Sequence, residues 1–477
     1  MKSIRRWVVL AIGIVVSVSP AWAQADRHEL GLRLRALEAA WSEPVDGKAR
    51  ERALPEIQRG VAKFLGFNLG ESAKALDEAR FRLRSAEPPS AAVRWAESLQ
   101  MQIGCRLLDS ADATVAIELS AFYAVPGEAP AKARIKVTLH DVAGKPLMAA
   151  FESPLQALPF RDKLPVAGLP EGDHVLRLEI QADDKPLSTR EQRLSIVARR
   201  DARLRNLKKG LNELSKDAPR IGLESLRGLL KILEALASGQ TLETAYPAAR
   251  LLAEAEALLK SLADGQEYYG PQRPGEYWLT LPHGRGATPV RLLAPEAVGR
   301  NEPRPLVVAL HGAGGSENLF FDGYGRGAIV ELCRKRGWLL VAPRCPLFAG
   351  QVPVAELVEQ CGKLYRVDPK KVFLVGHSMG AAQAVGAASL HPDAYAGVAA
   401  LGGGGAPKAS DGLKRVPFFV GVGSEDFALT GSRALSERLK KAEVKEVRFR
   451  EYAGIEHLTI VQTALPDVFA WFDELAK

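Results

Sequence analysis

Ser378 is the side chain whose surroundings most clearly suggest chemistry. It stands in Gly376-His377-Ser378-Met379-Gly380, after an apolar run over residues 372–375 and before the small-residue stretch Ala381-Ala382-Gln383-Ala384. That order predicts a strand, a sharp turn and a helix, with the serine exposed on a strained corner. Gly376 and Gly380 suit a turn that brings strand and helix too close for a Cβ. The helix start behind Ser378 adds a positive dipole end where a developing oxyanion would be stabilised. A chain with 43 glycines can also produce such a pentapeptide by chance, so its partners decide.

A serine nucleophile needs a base, and the base needs a group to orient it. For a serine on this kind of turn the chain order is serine, acid, histidine. Of the eight histidines, His28, His140, His174 and His283 precede the segment, His311 lies in a glycine-rich loop, His377 is inside the turn and His391 closes the following helix. His457 remains, in the loop Tyr452-Ala453-Gly454-Ile455-Glu456-His457. For the acid, a buried strand over residues 416–421 runs into Gly423-Ser424-Glu425-Asp426. Asp426 is the choice and Glu425 the alternative. Neighbouring residues point differently, so only one of them can face His457.

These groups need a scaffold. Residues 305–310 (Pro-Leu-Val-Val-Ala-Leu) and 338–343 (Trp-Leu-Leu-Val-Ala-Pro) are continuous apolar runs, as expected of strands buried on both faces. Helical patterns lie between them, over about 328–335 and 354–365. Two leading strands are predicted over 277–281 and 290–293. The first apolar run ends directly in His311-Gly312-Ala313-Gly314-Gly315-Ser316. Such a loop frees backbone N–H groups for a ligand. The Gly-Lys-Ser/Thr element of a phosphate loop is missing, so an oxyanion loop is the better reading. Alternating strands and helices from residue 270 onwards predict an α/β domain over 270–477, with Ser378 at the carboxyl end of a central strand.

Taken together, these residues resemble the α/β-hydrolase superfamily. The resemblance is to its compact esterases, the group of feruloyl esterases, polyhydroxybutyrate-depolymerase-like enzymes and dienelactone-hydrolase-like proteins. It rests on the loop from His311 to Ser316, the turn from Gly376 to Gly380, Gly423 to Asp426 and Glu456-His457. It implies a mainly parallel sheet with flanking helices, and a serine hydrolase acting on carboxylic esters through an acyl-enzyme. Ser378 would attack, His457 would take its proton, and Asp426 would orient the imidazole. The backbone N–H groups of Met379 and Ala313, or Gly314 in place of Ala313, would hold the oxyanion. No cofactor is implied.

The first 270 residues lie outside this resemblance. Residues 1–23 read as an export signal: Lys2, Arg5 and Arg6, an apolar core from Trp7 to Val18 too short to span a bilayer, and a cleavage pattern at Ala21-Trp22-Ala23. The expected protein is therefore periplasmic or secreted, with no stable membrane anchor after cleavage. Residues 26–101 show helical spacing, with no chemistry in them. Residues 103–198 show period-two alternation and turn signals, which predict a β-sandwich, immunoglobulin-like by commonness. It would be a spacer, or a contact for carbohydrate or protein. Residues 200–264 predict a helical hairpin or bundle with a leucine core. Gly270-Pro271-Gln272-Arg273-Pro274-Gly275 reads as a linker.

The net charge of +8 includes the three basic residues of the signal and is otherwise spread along the chain, so no nucleic-acid partner is expected. Cys105, Cys333, Cys345 and Cys361 show no CxxC spacing and no histidine pair nearby, so no metal site is expected. Export leaves two readings open: one disulfide among the last three, or buried free thiols. The connection from Leu401 to Arg415 is short and rich in Gly and Pro, too small for a helical lid. The site is expected to be open to a small-molecule or polymer-end ester, with Phe320, Phe321 and Tyr324 at its mouth or in the core. Two other functions share parts of this pattern. One is a prolyl-oligopeptidase-type serine peptidase, which has the same order of site residues but usually a propeller. The other is a non-catalytic binding protein with a vestigial hydrolase domain.

Overall fold

The computed structural model describes residues 20–44, 46–284, 286–296, 302–345 and 350–477. Most of the predicted export signal therefore lies outside the described residues. The chain opens with helices α1 (Pro20–Ser42), α2 (Gly47–Leu65), α3 (Leu69–Arg84) and α4 (Ala91–Ser98). Asp46, Asn68 and Ser90 cap α2, α3 and α4, each accepting a hydrogen bond from a backbone N–H of the first turn. The strand pattern starts earlier than the sequence boundary suggests, because Leu99, Met101 and Ile103 alternate inwards as β1 (Leu99–Ile103).

After β1 come β2 (Leu107–Asp109), β3 (Thr114–Ala121), β4 (Arg134–Asp141), β5 (Phe151–Pro154), β6 (Phe160–Pro165), β7 (Gly172–Ala182) and β8 (Lys185–Val197). They form two sheets, ordered β1-β3-β6 and β2-β8-β7-β4-β5. Alternate residues of both, such as Ile117 and Leu119 on β3 and Leu176, Leu178 and Ile180 on β7, share one apolar core. β2 runs parallel to β8.

Helices α5 (Arg200–Glu213), α6 (Arg220–Ala237) and α7 (Ala248–Ala263) follow. Their leucines do not close a bundle core of their own. Leu226, Leu229, Leu233, Leu251 and Leu258 share one core with the strands that come next. Gly228 permits that approach, since a Cβ there would lie 2.6 Å from Thr280 Oγ1.

The C-terminal half runs β9 (Gly275–His283), β10 (Gly286–Ala294), β11 (Arg304–Leu310), α8 (Leu319–Asp322), α9 (Tyr324–Arg336), β12 (Leu339–Pro343), α10 (Val354–Leu364), β13 (Val367–His377), α11 (Met379–Leu390), β14 (Gly397–Leu401), β15 (Phe418–Gly423), α12 (Leu429–Lys441), β16 (Val447–Tyr452) and α13 (Ile460–Leu475). Its sheet is ordered β16-β15-β14-β13-β11-β12-β10-β9. β10 is antiparallel to β9 and β12, and the strands from β12 to β16 are parallel. This is the sheet of an α/β-hydrolase fold.

The apolar runs are continuous because both faces are covered. On β11, Leu306, Val308 and Leu310 enter one core, while Val307 and Ala309 enter the other. β13 divides Val372 and Leu374 from Phe373 and Val375 in the same way. Burying such side chains stabilises by about 1.5–3 kcal/mol each. The cysteines fall on both sides of the sheet, Cys333 in one core and Cys345 and Cys361 in the other, and all four thiols are free. Among the described residues no helix is long and apolar enough to cross a membrane.

Candidate active site

β13 ends at His377 and α11 begins at Met379, so Ser378 alone makes the corner. Its φ of 55° and ψ of −114° lie in a region that costs a non-glycine residue roughly 1–3 kcal/mol. The surroundings impose it. A Cβ on Gly376 would sit 2.2 Å from the Gly380 carbonyl oxygen, and one on Gly380 would sit 1.9 Å from that of Leu310. Gly403 is held to glycine by the Ser378 carbonyl, 2.5 Å from where its Cβ would be. The Ser378 N–H donates to the Leu401 carbonyl at 2.9 Å, tying the corner to the neighbouring strand.

His457 and Asp426 come together from the loops after β16 and β15. His457 Nδ1 lies 2.9 Å from Asp426 Oδ1, and both residues are buried. An ionised carboxylate only accepts, so Nδ1 carries the proton and Nε2 keeps its lone pair, the form a base requires. Ala428 N–H donates to the same oxygen at 2.7 Å. Gly402, with φ +54°, makes room for the other: a Cβ there would be 2.9 Å from Asp426 Oδ2. Glu425 faces solvent and its carboxylate accepts from Ser424 Oγ, so the structure places Asp426 at the imidazole and not Glu425.

Sequence reading assigned no role to His377 and left Tyr324 between rim and core. Both are buried beneath the site. His377 Nε2 lies 3.0 Å from the His457 carbonyl oxygen. A carbonyl cannot donate, so Nε2 carries the proton and Nδ1 accepts from Tyr324 Oη at 2.6 Å. The Gly312 N–H points at the same hydroxyl from 3.4 Å. Burial, with His457 beside it, holds the His377 pKa far below its ordinary value, so the ring stays neutral. This relay joins the His457 loop, the serine corner and the glycine-rich loop.

Tyr324 reaches that position through an unusual turn. Tyr324, Gly325, Arg326 and Gly327 all have positive φ, so the right-handed part of α9 starts after them, close to the predicted 328. Gly327 could not carry a side chain, since its Cβ would be 2.2 Å from the Phe321 carbonyl oxygen. The glycines flanking Tyr324 were the available signal. Phe320 and Phe321 are also buried and do not line a mouth.

His311 shapes the glycine-rich loop. Its Nε2 accepts from the Cys345 N–H at 2.8 Å, so Nδ1 donates to the Gly312 carbonyl, also at 2.8 Å. Burial lowers its pKa to about 4, which keeps that pattern at neutral pH. With the Gly312 N–H turned to Tyr324, the N–H groups of Ala313 and Met379 have no acceptor among the described residues. Met379 is the first residue of α11, where no intrahelical acceptor exists.

The largest departure from the sequence reading lies above the serine. Ser378 and His457 open into a cavity of ≈ 180 Å³ whose other wall is the N-terminal helices. Leu30 and Leu34 of α1, Val61 and Phe64 of α2, and Leu76 of α3 line it. The expected open site is therefore roofed, by a segment that looked free of chemistry. Arg27 donates to the Gly314 carbonyl at 2.5 Å, and Gln58 to that of Glu425 at 3.2 Å. Phe64 lies against Gly314 (φ +78°), where a Cβ would be 2.3 Å from the ring.

On its other side the roof is bolted to the β-module. Buried Arg33 of α1 donates to Asp77 Oδ2 at 2.9 Å, to Glu29, and to the carbonyls of Glu97 and Leu99 at 3.0 Å each. Arg190 of β8 meets Glu29 at 3.1 Å, Arg80 meets Glu97 at 2.9 Å, and Tyr123 donates to Asp77 at 2.7 Å. Three arginines thus balance three carboxylates, and opposite charges in contact are the condition under which buried charge is tolerated.

No known family model matches this chain, and no curated protein matches it in sequence. Among solved structures it is similar to a thermostable esterase, at 15% identity over 78% of this chain and 98% of that one, with a TM-score of 0.38. It is also similar to a ferulic acid esterase, at 17% identity over 43% and 98% with a TM-score of 0.37. An S-formylglutathione hydrolase from Agrobacterium tumefaciens shows 19% identity over 43% and 97%, with a TM-score of 0.33. The chemistry of the site rests on the geometry described above and not on these likenesses.

Proposed function

We propose that this chain is an exported serine hydrolase that cleaves carboxylic esters through an acyl-enzyme. One observation carries the reading. His457, hydrogen-bonded to Asp426, lines the same cavity as a strained Ser378, and the N–H groups of Met379, next in the chain, and of cavity-lining Ala313 are unengaged among the described residues. His457 Nε2 takes the proton of Ser378 as its Oγ attacks the ester carbonyl carbon. Asp426 holds the imidazole in the required tautomer and stabilises its protonated form. The N–H groups of Met379 and Ala313 receive the oxyanion, each worth roughly 2.7–4 kcal/mol in such sites. Protonated His457 then gives its proton to the leaving alkoxide. Water, deprotonated by the same histidine, attacks the acyl-serine, and His457 returns that proton to the departing Ser378 oxygen as the acid is released. The neutral His377–Tyr324 relay adds no charge and keeps the three loops in register.

Export follows from the predicted signal over 1–23. Arg27, the first roof side chain in the cavity, lies beyond the proposed cut after Ala23, so the mature chain keeps the roof. We read the two facing sheets as an immunoglobulin-like spacer that carries it.

The test is hydrolysis of p-nitrophenyl acetate by the full chain and by Ser378→Ala. The expected loss in kcat is at least about 10⁴-fold. Equal rates would remove the hydrolase reading, and faster cleavage of aminoacyl-p-nitroanilides would replace the esterase by a peptidase. N-terminal sequencing of the exported protein checks the cut, which is expected to leave Gln24 first.

A further inference from the structure

The roof side of the cavity is apolar apart from a few polar side chains, and most of these already have partners. Arg27 is held by the Gly314 carbonyl and by Glu243 at 3.5 Å. Glu243 also accepts from Asn318 at 3.4 Å. Ser72 donates to the Gly60 carbonyl at 2.9 Å. Asp322 accepts from Arg291 and from Thr244, at 2.7 Å each. Two residues of α1 are left over, Arg35 and Glu38, one helical turn apart and both lining the cavity.

Glu38 is 1% exposed, and neither of its carboxyl oxygens has a hydrogen-bond partner. The N–H groups of Tyr324 and Gly325 favour its charged form, but burial outweighs them and raises its pKa to about 8. Arg35 beside it also favours the charged form, and burial still tips it towards the neutral acid. Arg35 makes no hydrogen bond and no ion pair among the described residues. The acids near it are Asp322, Glu243, Glu29 and Glu38 itself. The first three are engaged with Arg291, Arg27 and Arg33 respectively, and the fourth keeps its proton. A guanidinium that is always charged therefore borders a largely apolar cavity with no close ion pair of its own among the described residues.

We propose that Arg35 and Glu38 form an anion subsite that receives a carboxylate carried by the ester substrate, at the far end of an apolar segment. This rests on the esterase reading and names the substrate class for the same site. The chemistry selects an anion over the other ligands. A guanidinium matches a carboxylate with two parallel donors, and charge-assisted hydrogen bonds are about twice as strong as neutral ones. A cation is disfavoured by Arg35. A neutral chain would fill the apolar part and leave the guanidinium unpaired. The preferred substrates are half-esters of dicarboxylic acids or their equivalents, with Leu30, Leu34, Val61 and Phe64 around the spacer.

The experiment compares kcat/KM for p-nitrophenyl half-esters of succinic, adipic, suberic and sebacic acid with neutral p-nitrophenyl esters of matched chain length. Wild type should prefer the acid at one chain length by about tenfold or more. Arg35→Gln should abolish that preference, and Glu38→Gln, which stays neutral, should keep most of it. Equal rates for acid and neutral esters in wild type at every length would overturn the subsite while leaving the esterase reading intact. The wild-type comparison also stands if a variant fails to fold. Calorimetry on the full-length Ser378→Ala chain separates the two readings from the other side. Binding of monomethyl suberate but not of its neutral counterpart supports the subsite even if no ester is hydrolysed. Equal binding of the two counts against it.

Discussion

The floor and the roof of the cavity are built on different principles. In the floor, backbone sterics do the positioning. Gly376, Gly380, Gly402 and Gly403 each stand where a Cβ would meet another group at 2.9 Å or less. The imidazoles of His311, His377 and His457 are each held in one tautomer by their partners. In the roof, side-chain charge does the work. One face of α1 is fastened by Arg33 and its carboxylates, and Arg35 and Glu38 line the cavity with no side-chain hydrogen bond among the described residues. A floor fixed by backbone sterics suits a reaction that must be repeated identically. A roof with unsatisfied groups suits recognition, since a ligand can complete it.

Substitutions can break this contrast at graded strength. Asp426→Asn should be the most severe, lowering kcat by about 10⁴-fold through the wrong tautomer of His457 while leaving the melting temperature near wild type. Arg33→Met leaves buried carboxylates unbalanced and should destabilise the chain by about 3–5 kcal/mol in denaturant titration. A stability close to wild type would mean that the roof is not held by charge. Tyr324→Phe removes the donor to His377 and the acceptor for the Gly312 N–H. A loss of about tenfold in kcat, with KM little changed, is expected from about 1–3 kcal/mol per unsatisfied group; unchanged kcat would reduce the relay to packing.

The roof also predicts a pH dependence of stability. Glu38 in the folded chain keeps its proton up to about pH 8, against an ordinary value of 4.5. The folded state therefore binds the extra proton between those values. The stability this contributes is complete below about pH 4.5 and is lost as pH rises through about 8. Glu38→Gln should flatten that slope across the window in thermal melts. Identical slopes would show that Glu38 is already ionised in the folded chain.

Much of the floor was legible because its determinants are close in sequence. The corner at Ser378 is written in five residues, and the apolar runs over 305–310 and 416–421 end where the loops they feed begin. His457 and Asp426 followed from chain order. The tautomer relay was not legible, because His377 and Tyr324 looked like a filler of the turn and an ordinary aromatic. The roof was missed for a different reason. The spacing of Leu30, Leu34 and Leu37 announces an amphipathic helix but not what it packs on. The leucines of the hairpin or bundle expected over 200–264 likewise share a core with β9 and β10.

The sequence by itself determined the strained corner at Ser378, the chain order of Asp426 and His457, and the buried strands that carry them, because short-range sterics and hydrophobic period act within a few residues. Only the tertiary structure decided that the site is covered and what faces it from above. The contacts that seat the roof, Arg27 on the Gly314 carbonyl and Gln58 on that of Glu425, join residues 287 and 367 positions apart. No local pattern encodes such pairings. They follow from where the buried charge network of Arg33 places α1, and that depends on the whole chain having folded around it.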